Sequence, residues 1–366
     1  MRKQGKFLFV VAALALAALL CGCQAARTDA AADTKPAVPP GGVLLRGAGA
    51  TFPSVLYRQW FEEYQKAHPG TVIRYEAVGS GEGIRRFVGA GVDSAEQVDF
   101  GASDAAMRDD EIARTPQGAL MLPMTAGSVA LAYNLPGFQG ELKLSRKAYA
   151  GIFLGLVKNW NDPLIQKTNP EAKLPNLTIT TVVRLDSSGT TFALTKHLDA
   201  ISNQWRNQFG PATVVNWPGN AMRAKGNEGV ASRIQQSEGS IGYVGYEFAR
   251  RIGLKTALLE NKEGKFVPPL APNAIASLST AEIPENLRAW LSDPAGANSY
   301  PIVTMTWILV HKDYADESKV RALHDLFAWT LSEPSQKMAL DLGYVPLPEN
   351  VAKRSLAALD TVKTGQ

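Results

Sequence analysis

The chain has 366 residues, of which 45% are hydrophobic and 20% charged, and these values exclude a globally disordered protein. Its length accommodates two lobes of ordinary domain size. The formal net charge is +4, but Arg2, Lys3 and Lys6 contribute three basic charges, and the remaining chain carries 35 basic against 34 acidic side chains. This near-neutral balance argues against a nucleic-acid partner.

The N-terminal segment has the pattern of a secretory signal. A basic start precedes an apolar run from Phe7 to Leu20, which has the length of a signal-peptide core and is short for a membrane span. The run ends in Leu20-Cys21-Gly22-Cys23, which resembles a lipobox. We therefore expect residues 1–22 to be a signal peptide and Cys23 to carry the acyl chains. An uncleaved N-terminal anchor is the alternative, and either arrangement puts the body in the periplasm or on the cell surface.

The folded body is predicted to have neither a disulfide nor a thiolate ligand, because both cysteines of the chain lie in this N-terminal segment. Residues 23–42 are rich in Ala, Pro and Gly and contain few large apolar side chains. Such a composition is typical of a flexible tether, here between the lipid and the fold.

From Val43 onward, short apolar runs typical of strands alternate with stretches of helical periodicity. The predicted strands are Val43–Gly47, Thr71–Val78, Val98–Ala102, Ser128–Tyr133, Leu177–Val183 and Pro301–Val310. The predicted helices begin at Pro53 (apolar stripe Leu56, Trp60, Tyr64; stop at His68-Pro69-Gly70) and after Gly83, and span Thr190–Leu198, Gly229–Gln236 and Ser318–Leu331. This alternation predicts an α/β fold with mixed, mainly parallel sheets.

Four short segments lie where a strand gives way to a loop or helix, which is where open α/β sheets bind ligands. The first is Gly47–Pro53, whose small residues allow the backbone to approach a ligand. Pro53 suits a first helical turn, and the free N–H groups of such a turn attract anions. Thr51 adds a hydroxyl, although a plain helix cap explains it equally well.

The second and third segments give weaker signals on their own. Gly79–Gly83 alternates glycines that can form a nest of converging N–H groups, but a lone Gly-rich turn more often binds nothing. In the third, Asp99–Asp104, the final carboxylate follows a strand, and in isolation it is more often a helix cap.

The fourth segment, Arg184–Thr190, is the most specific. It combines a guanidinium, a carboxylate two residues later and a Ser-Gly-Thr turn that opens a helix. Arginine suits two-pronged contact with an oxyanion, and Asp186 can hold the fork of Arg184. A structural ion pair is the alternative.

Together these segments resemble the phosphate-binding proteins of bacterial phosphate ABC importers. The similarity extends in family order over nearly the whole body. The matching stretches are Gly47–Pro53, Val78–Gly83, Val98–Ala105, Lys158–Pro163, Val182–Thr191, Gly226–Val230, Gly239–Tyr246 and Pro301–Asp313.

The resemblance implies a type II periplasmic binding protein, with two α/β lobes joined by two chain crossings and phosphate held between them. The lobes are expected to comprise residues 43–120 plus 299–366 and residues 121–298. It also implies a monomer that is not an enzyme, that needs neither metal nor other cofactor, and whose partners are phosphate, the permease subunits of the importer and, through Cys23, a lipid bilayer.

Carried over by position, the resemblance also implies a set of phosphate contacts. They are Thr51, Phe52 through its backbone N–H, Ser80, Asp104, Arg184, Ser188, Gly189 and Thr190, with Asp186 orienting Arg184. Two positions depart from the family pattern. Ser187 stands where many relatives have glycine, and Glu82 lies in a loop that is usually uncharged.

Asp104 gives the physical reason to expect phosphate in particular. A carboxylate accepts a hydrogen bond from a protonated phosphate, whereas sulfate has no proton to offer. The alternatives are a receptor for another tetrahedral oxyanion and a surface lipoprotein without a ligand. A metal-dependent phosphatase is a third reading, against which the wide scatter of the histidines along the chain argues.

Overall fold

The computed structural model describes residues 38–365, so the predicted signal peptide, Cys23 and most of the predicted tether lie outside the described residues. The strands are β1 (Val43–Gly49), β2 (Thr71–Ala77), β3 (Phe100–Ser103), β4 (Ala119–Asn134), β5 (Lys143–Leu144), β6 (Thr180–Arg184), β7 (Met222–Ala224), β8 (Ser240–Gly245), β9 (Lys255–Thr256), β10 (Leu258–Glu260), β11 (Phe266–Val267), β12 (Val303–His311), β13 (Asp313–Tyr314) and β14 (Lys363–Thr364). The helices are α1 (Ser54–Ala67), α2 (Ser80–Val88), α3 (Asp109–Ala113), α4 (Arg146–Phe153), α5 (Pro163–Gln166), α6 (Gly189–Ile201), α7 (Asn203–Gln208), α8 (Gly226–Gln236), α9 (Tyr246–Arg251), α10 (Ala271–Leu278), α11 (Glu317–Thr330), α12 (Glu333–Leu342) and α13 (Glu349–Leu359).

The main sheet has the strand order β2-β1-β3-β12-β4-β8-β6-β7, with β9 also paired to β4. Parallel pairs lie toward its two ends, where β1 is flanked by β2 and β3 and β6 by β7 and β8. The central strands β12 and β4 pair antiparallel to their neighbours. The predicted α/β class with mixed sheets is confirmed.

The longest strand, β4, belongs to both ends of the sheet. Residues 119–128 pair with β12, and Val129–Asn134 pair with β8. The chain crosses between the two ends of the sheet inside β4. The segment that leads into β12 lies beside this crossing, because Val129 N donates to Ile302 O at 2.8 Å. We call the part built on β1, β2, β3 and β12 the first lobe, and the part built on β6, β7 and β8 the second. The chain thus changes lobe inside a continuous strand, and the boundaries at 120 and 299 stay a prediction.

Two helices begin earlier than the sequence predicted. The α2 helix starts at Ser80 rather than after Gly83, and α8 starts at Gly226 rather than Gly229. Glycines with positive φ make the entry turns, Gly79 at +103° and Gly226 at +69°. A glycine takes up this conformation without steric cost, so the residues after each turn can join the helix at once. The predicted glycine-rich loop is therefore the first turn of α2.

The predicted apolar stripe of α1 faces the core. Leu56, Trp60 and Tyr64 are all buried, and Trp60 Nε1 donates to Ser335 O at 2.9 Å. The hydrogen bond satisfies the indole where burial would otherwise leave it unpaired. Within residues 38–365, no helix combines the length and the apolar character that crossing a membrane requires.

Candidate anion-binding site

The second, third and fourth predicted segments meet where the two lobes face each other. Ser80, in the first turn of α2, is buried, and its Oγ accepts from Asp104 N at 3.2 Å and Gly189 N at 3.0 Å. Gly81 N donates to Ser187 O at 3.2 Å. Since Ser80 and Asp104 belong to the first lobe and Gly189 to the second, one serine oxygen joins both sides.

The first segment reaches the same place through Thr51. Its side chain is 6% exposed, and Oγ1 accepts from Asn227 Nδ2 at 2.9 Å. Phe52 is buried, packs edge-on against Tyr344 with ring centroids 5.6 Å apart, and accepts the Tyr344 hydroxyl on its carbonyl at 2.8 Å. The Phe52 ring therefore anchors the turn that leads into α1.

Arg184 ends β6 and is held by Asp186, as the sequence predicted. Its Nε donates to Asp186 Oδ1 at 2.9 Å, and its Nη2 donates to Asp186 Oδ2. Burial would raise the pKa of Asp186, but the hydrogen bonds and charge of Arg184 outweigh it and the pKa is lowered. The guanidinium also donates from Nη1 to Thr190 Oγ1 at 3.4 Å. Arg184 is thus a buried cation with a fixed fork.

Ser188, Gly189 and Thr190 form the start of α6. Ser188 caps the helix, since its side chain accepts from Thr191 N at 3.1 Å. The N-terminus of a helix carries partial positive charge, so this end favours an anion, although Gly189 N and Thr191 N already donate to Ser80 Oγ and Ser188 Oγ. Gly189 lies close against the first lobe, because a Cβ built on it would lie 2.5 Å from Asp104 Cβ.

Asp104 brings an acidic group to the site in addition to Asp186, which pairs with Arg184. It is 2% exposed, and Thr306 Oγ1 donates to its Oδ1 at 2.9 Å. Burial raises the pKa of Asp104 to about 7, although the hydrogen bond from Thr306 and the charge of Arg184 act to lower it. An acceptor of this kind beside several donors can bind an anion that carries a proton of its own.

Two residues at this site, Asn227 and Thr306, are not among the predicted contacts. Asn227 lies in a stretch that matched the family pattern, which is the signal that could have found it, and it links Thr51 to Thr190. Thr306 lies in β12, 202 positions from the Asp104 side chain that it contacts. No local sequence pattern identifies Thr306 as a site residue, because threonine is common in β-strands.

The two departures from the family pattern have local explanations. Ser187 is not among the non-glycine residues with positive φ, so it carries no left-handed strain, and its Oγ donates to Thr213 Oγ1 at 3.0 Å. The Glu82 carboxylate accepts hydrogen bonds from Arg85 and Arg86. These bonds, of which the bond from Arg85 has the larger effect, lower the pKa of Glu82 to about 2. The carboxylate of Glu82 is thus neutralised by paired arginines.

A cavity of about 1140 Å³ adjoins the site. Its lining includes Gly81, Asp186 and Ser187 on the side of the site, and Lys196 and Trp290 farther out. The cavity therefore leads from the space between the lobes toward the buried donors.

Comparison with known proteins finds relatives that match most of the chain. The family described as "PBP superfamily domain" matches residues 25–334. The phosphate-binding protein PstS of Pasteurella multocida (strain Pm70) is 37% identical over 320 residues, which are 87% of this chain and 90% of that protein. Similar solved structures include a high-affinity periplasmic phosphate-binding protein bound with phosphate (TM-score 0.71, 24% identity, 86% of this chain and 93% of that one). Another is a putative phosphate ABC transporter substrate-binding protein with bound phosphate from Clostridium perfringens (TM-score 0.60, 15% identity, 84% and 100%).

Proposed function

Because the chain belongs to the PBP superfamily and, within it, to the phosphate-binding proteins, we propose that it captures inorganic phosphate outside the cytoplasmic membrane and delivers it to an ABC import permease. The proposed contacts are Thr51, the backbone N–H of Phe52, Ser80, Asp104, Arg184, Ser188, Gly189 and Thr190. Asp186 orients Arg184.

The observation that carries the proposal is the buried carboxylate of Asp104, which lies among hydrogen-bond donors. Arg184, the start of α6 and the hydroxyls of Thr51, Ser80 and Thr190 supply attraction for an anion. Asp104 supplies a carboxylate beside them that is held by Thr306, whereas the carboxylate of Asp186 already accepts from Arg184 and Gly226 N. Phosphate near neutral pH keeps one or two protons and can donate to Asp104, whereas sulfate meets only its lone pairs.

Closure of the lobes strengthens these contacts. Removing water lowers the local dielectric constant, so each charged hydrogen bond gains strength. Bound phosphate then shifts an open population toward the closed form, which is the form that we expect the permease to recognise. Arsenate carries protons like phosphate, so we expect the site to distinguish it far less well than sulfate.

Isothermal titration tests the proposal directly. Phosphate and then sulfate are titrated into a chain that begins at Ala25 and has been freed of bound anion. We expect one-to-one phosphate binding with a dissociation constant on the order of 1 μM and no heat from sulfate. Equal binding of sulfate would favour a receptor for another oxyanion. Binding of neither anion would favour a surface lipoprotein without a ligand.

The protein is proposed to act as a monomer without enzymatic activity, tethered through an acylated Cys23. Its relatives are named for binding phosphate. Cys23→Ser is expected to release the protein from membranes and to prevent incorporation of labelled palmitate, with phosphate affinity unchanged. Cys21→Ser is the matched control and should keep the anchor. Incorporation of palmitate into the Cys23→Ser chain would show that the lipobox assignment is wrong.

A further inference from the structure

Asn227 is held on three sides by hydrogen bonds in the interior of the site. Its side chain is fully buried, and its Oδ1 accepts from Gly245 N at 2.9 Å. Its Nδ2 donates to Thr51 Oγ1 at 2.9 Å and to Thr190 Oγ1 at 3.1 Å. Because a backbone N–H can only donate, the amide oxygen must face Gly245, and the amide NH₂ must face the two threonines.

This orientation decides what the two threonine hydroxyls can do. A hydroxyl has two acceptor positions and one O–H to donate. Thr51 Oγ1 accepts twice, from Nδ2 and from the backbone N of Asn227 at 3.2 Å. Thr190 Oγ1 also accepts twice, from Asn227 and from Arg184 Nη1 at 3.4 Å. Each oxygen has both acceptor positions filled, so each hydroxyl is left with only its proton to offer.

The position of Asn227 is itself fixed by the carboxylate that fixes Arg184. Asp186 Oδ1 accepts from Arg184 Nε at 2.9 Å and from Gly226 N at 2.9 Å. Gly226 makes the turn into α8 with a φ of +69°, which glycine adopts readily. The residue after this turn is Asn227, so one carboxylate aligns both the guanidinium and the amide.

We propose that Asn227 is a positioning residue for phosphate, which compels Thr51 and Thr190 to donate to the anion and holds them together across the lobes. The inference rests on the proposed function and deepens it. Thr51 belongs to the first lobe and Thr190 to the second, so the single amide group spans the closing interface. With both hydroxyls committed as donors, Asp104 is left as the acceptor for the proton that the anion carries.

A double-mutant cycle on the full chain, freed of bound anion, tests this role with inorganic phosphate as the probe. Asn227→Ala is expected to lower phosphate affinity at least about tenfold, on the scale of two buried hydrogen bonds. In the Thr51→Val, Thr190→Val background, the same substitution is expected to change affinity less than about twofold, because no hydroxyl remains to be directed. An equal loss in both backgrounds, or no loss in the wild-type background, would overturn the proposal.

Asn261→Ala is the matched control, because Asn261 is equally buried and donates to the carbonyls of Gly296, Ala297 and Ser299 rather than to the site. It is expected to lower the melting temperature without changing the phosphate affinity of the folded protein. A wild-type chain that binds no phosphate overturns the proposed function together with this inference. A wild-type chain that binds phosphate no better than Asn227→Ala overturns this inference alone.

A spectroscopic measurement keeps the test decisive if the variants fold poorly. In wild-type protein saturated with phosphate, the hydroxyl protons of Thr51 and Thr190 should be protected from exchange and coupled to the ³¹P nucleus of the ligand through the hydrogen bond. Absence of both couplings from the spectrum of folded, saturated wild-type protein would show that the hydroxyls do not donate to the anion.

Discussion

Asp104 places a titrating group at the point where the anion is to be recognised. Because burial raises the pKa of its carboxyl to about 7, the ligand-free site changes protonation state near neutral pH. Above this pH Asp104 can only accept hydrogen bonds, and below it the protonated carboxyl can donate one. Rejection of an unprotonated anion is therefore a property of the ionised form.

A pH series with sulfate checks this reasoning. Sulfate affinity of the wild-type protein is expected to rise as the pH falls from 8 to 5.5, since protonated Asp104 can donate to it. Sulfate does not itself titrate in this range, so the change belongs to the protein. Asp104→Asn is expected to bind sulfate at every pH, and the exposed Asp93→Asn should behave as wild type. A phosphate-to-sulfate preference that is unchanged in Asp104→Asn would remove Asp104 from the recognition step.

Lysine is not expected to replace Arg184 without a loss of phosphate affinity. An ammonium group cannot contact both Asp186 oxygens and Thr190 from one fixed fork. Arg184→Lys should therefore weaken phosphate binding by about 1–3 kcal/mol, the scale of a charged hydrogen bond. Titration calorimetry gives the difference, with the exposed Arg321→Lys on α11 as the control. Wild-type affinity in the Arg184→Lys protein would mean that Arg184 does not contact the ligand.

At this scale, the predicted contacts include both charged and neutral residues, but they omit Asn227 and Thr306. Arg184 and Asp186 are two positions apart, so their pairing could be read from the chain, and the structure confirms it. Asn227 contacts Thr51 from 176 positions away, and an asparagine after a glycine has many ordinary uses. Its role depends on which lone pairs are already occupied, and that is known only from the folded structure.

The elements carry the residues to one place because each helix start lies close to the opposite lobe. At the beginning of α6, Gly189 leaves no room for a side chain, since a Cβ would lie 2.5 Å from Asp104 Cβ and 2.6 Å from Ser80 Oγ. Both neighbours belong to the first lobe. A methyl group at this position would hold the two lobes apart and would not disturb α6 itself.

Gly189→Ala is expected to lower phosphate affinity by about 5- to 150-fold, because overpacking costs about 1–3 kcal/mol. The melting temperature of the ligand-free protein should change little, since open lobes accommodate the methyl group. The matched control is Gly229→Ala in α8, where the nearest atom would lie at an ordinary 3.6 Å. Unchanged affinity in Gly189→Ala would contradict the close approach of α6 to the first lobe.

The elements themselves were predictable where periodicity was strong. The stripe of α1 and the runs that became β1, β2 and β12 needed only hydrophobic spacing. The glycine-rich segment before Gly83 was misread, because composition alone does not reveal that only Gly79 adopts positive φ while Ser80 already begins the helix. The length of β4 was also underestimated, since Pro123 lies within it.

In the whole molecule, a second buried carboxyl lies near the site. Glu247, in α9 of the second lobe, is 2% exposed, and its Oε1 has no hydrogen-bond partner among the described residues. Burial raises its pKa to about 8, against the hydrogen bonds of its own backbone and of Tyr344. The folded protein therefore holds a proton on Glu247 that the unfolded chain releases at lower pH.

This proton makes the stability of the ligand-free protein depend on pH. A carboxyl with a raised pKa contributes stability below its unfolded value, and the contribution is lost as the pH rises from about 4.5 to 8. Glu247→Gln is expected to remove the part of the decline that Glu247 contributes, at most about 1.4 kcal/mol per pH unit, while Asp104, whose pKa is also raised, keeps its own part. Denaturant unfolding between pH 5 and 8 measures it, with the exposed Glu228→Gln as control. Parallel pH profiles for Glu247→Gln and wild type would contradict the prediction.

The place of β12 in the sheet also governs when the chain can fold. This strand ends at His311, yet it lies between β3 and β4, which are made much earlier. Until the ribosome has passed this point, β3 and β4 have no common neighbour, and the first lobe lacks its central strand. Sequence-distant pairing of this kind delays folding. The first lobe therefore cannot complete its sheet until most of the chain has been synthesised.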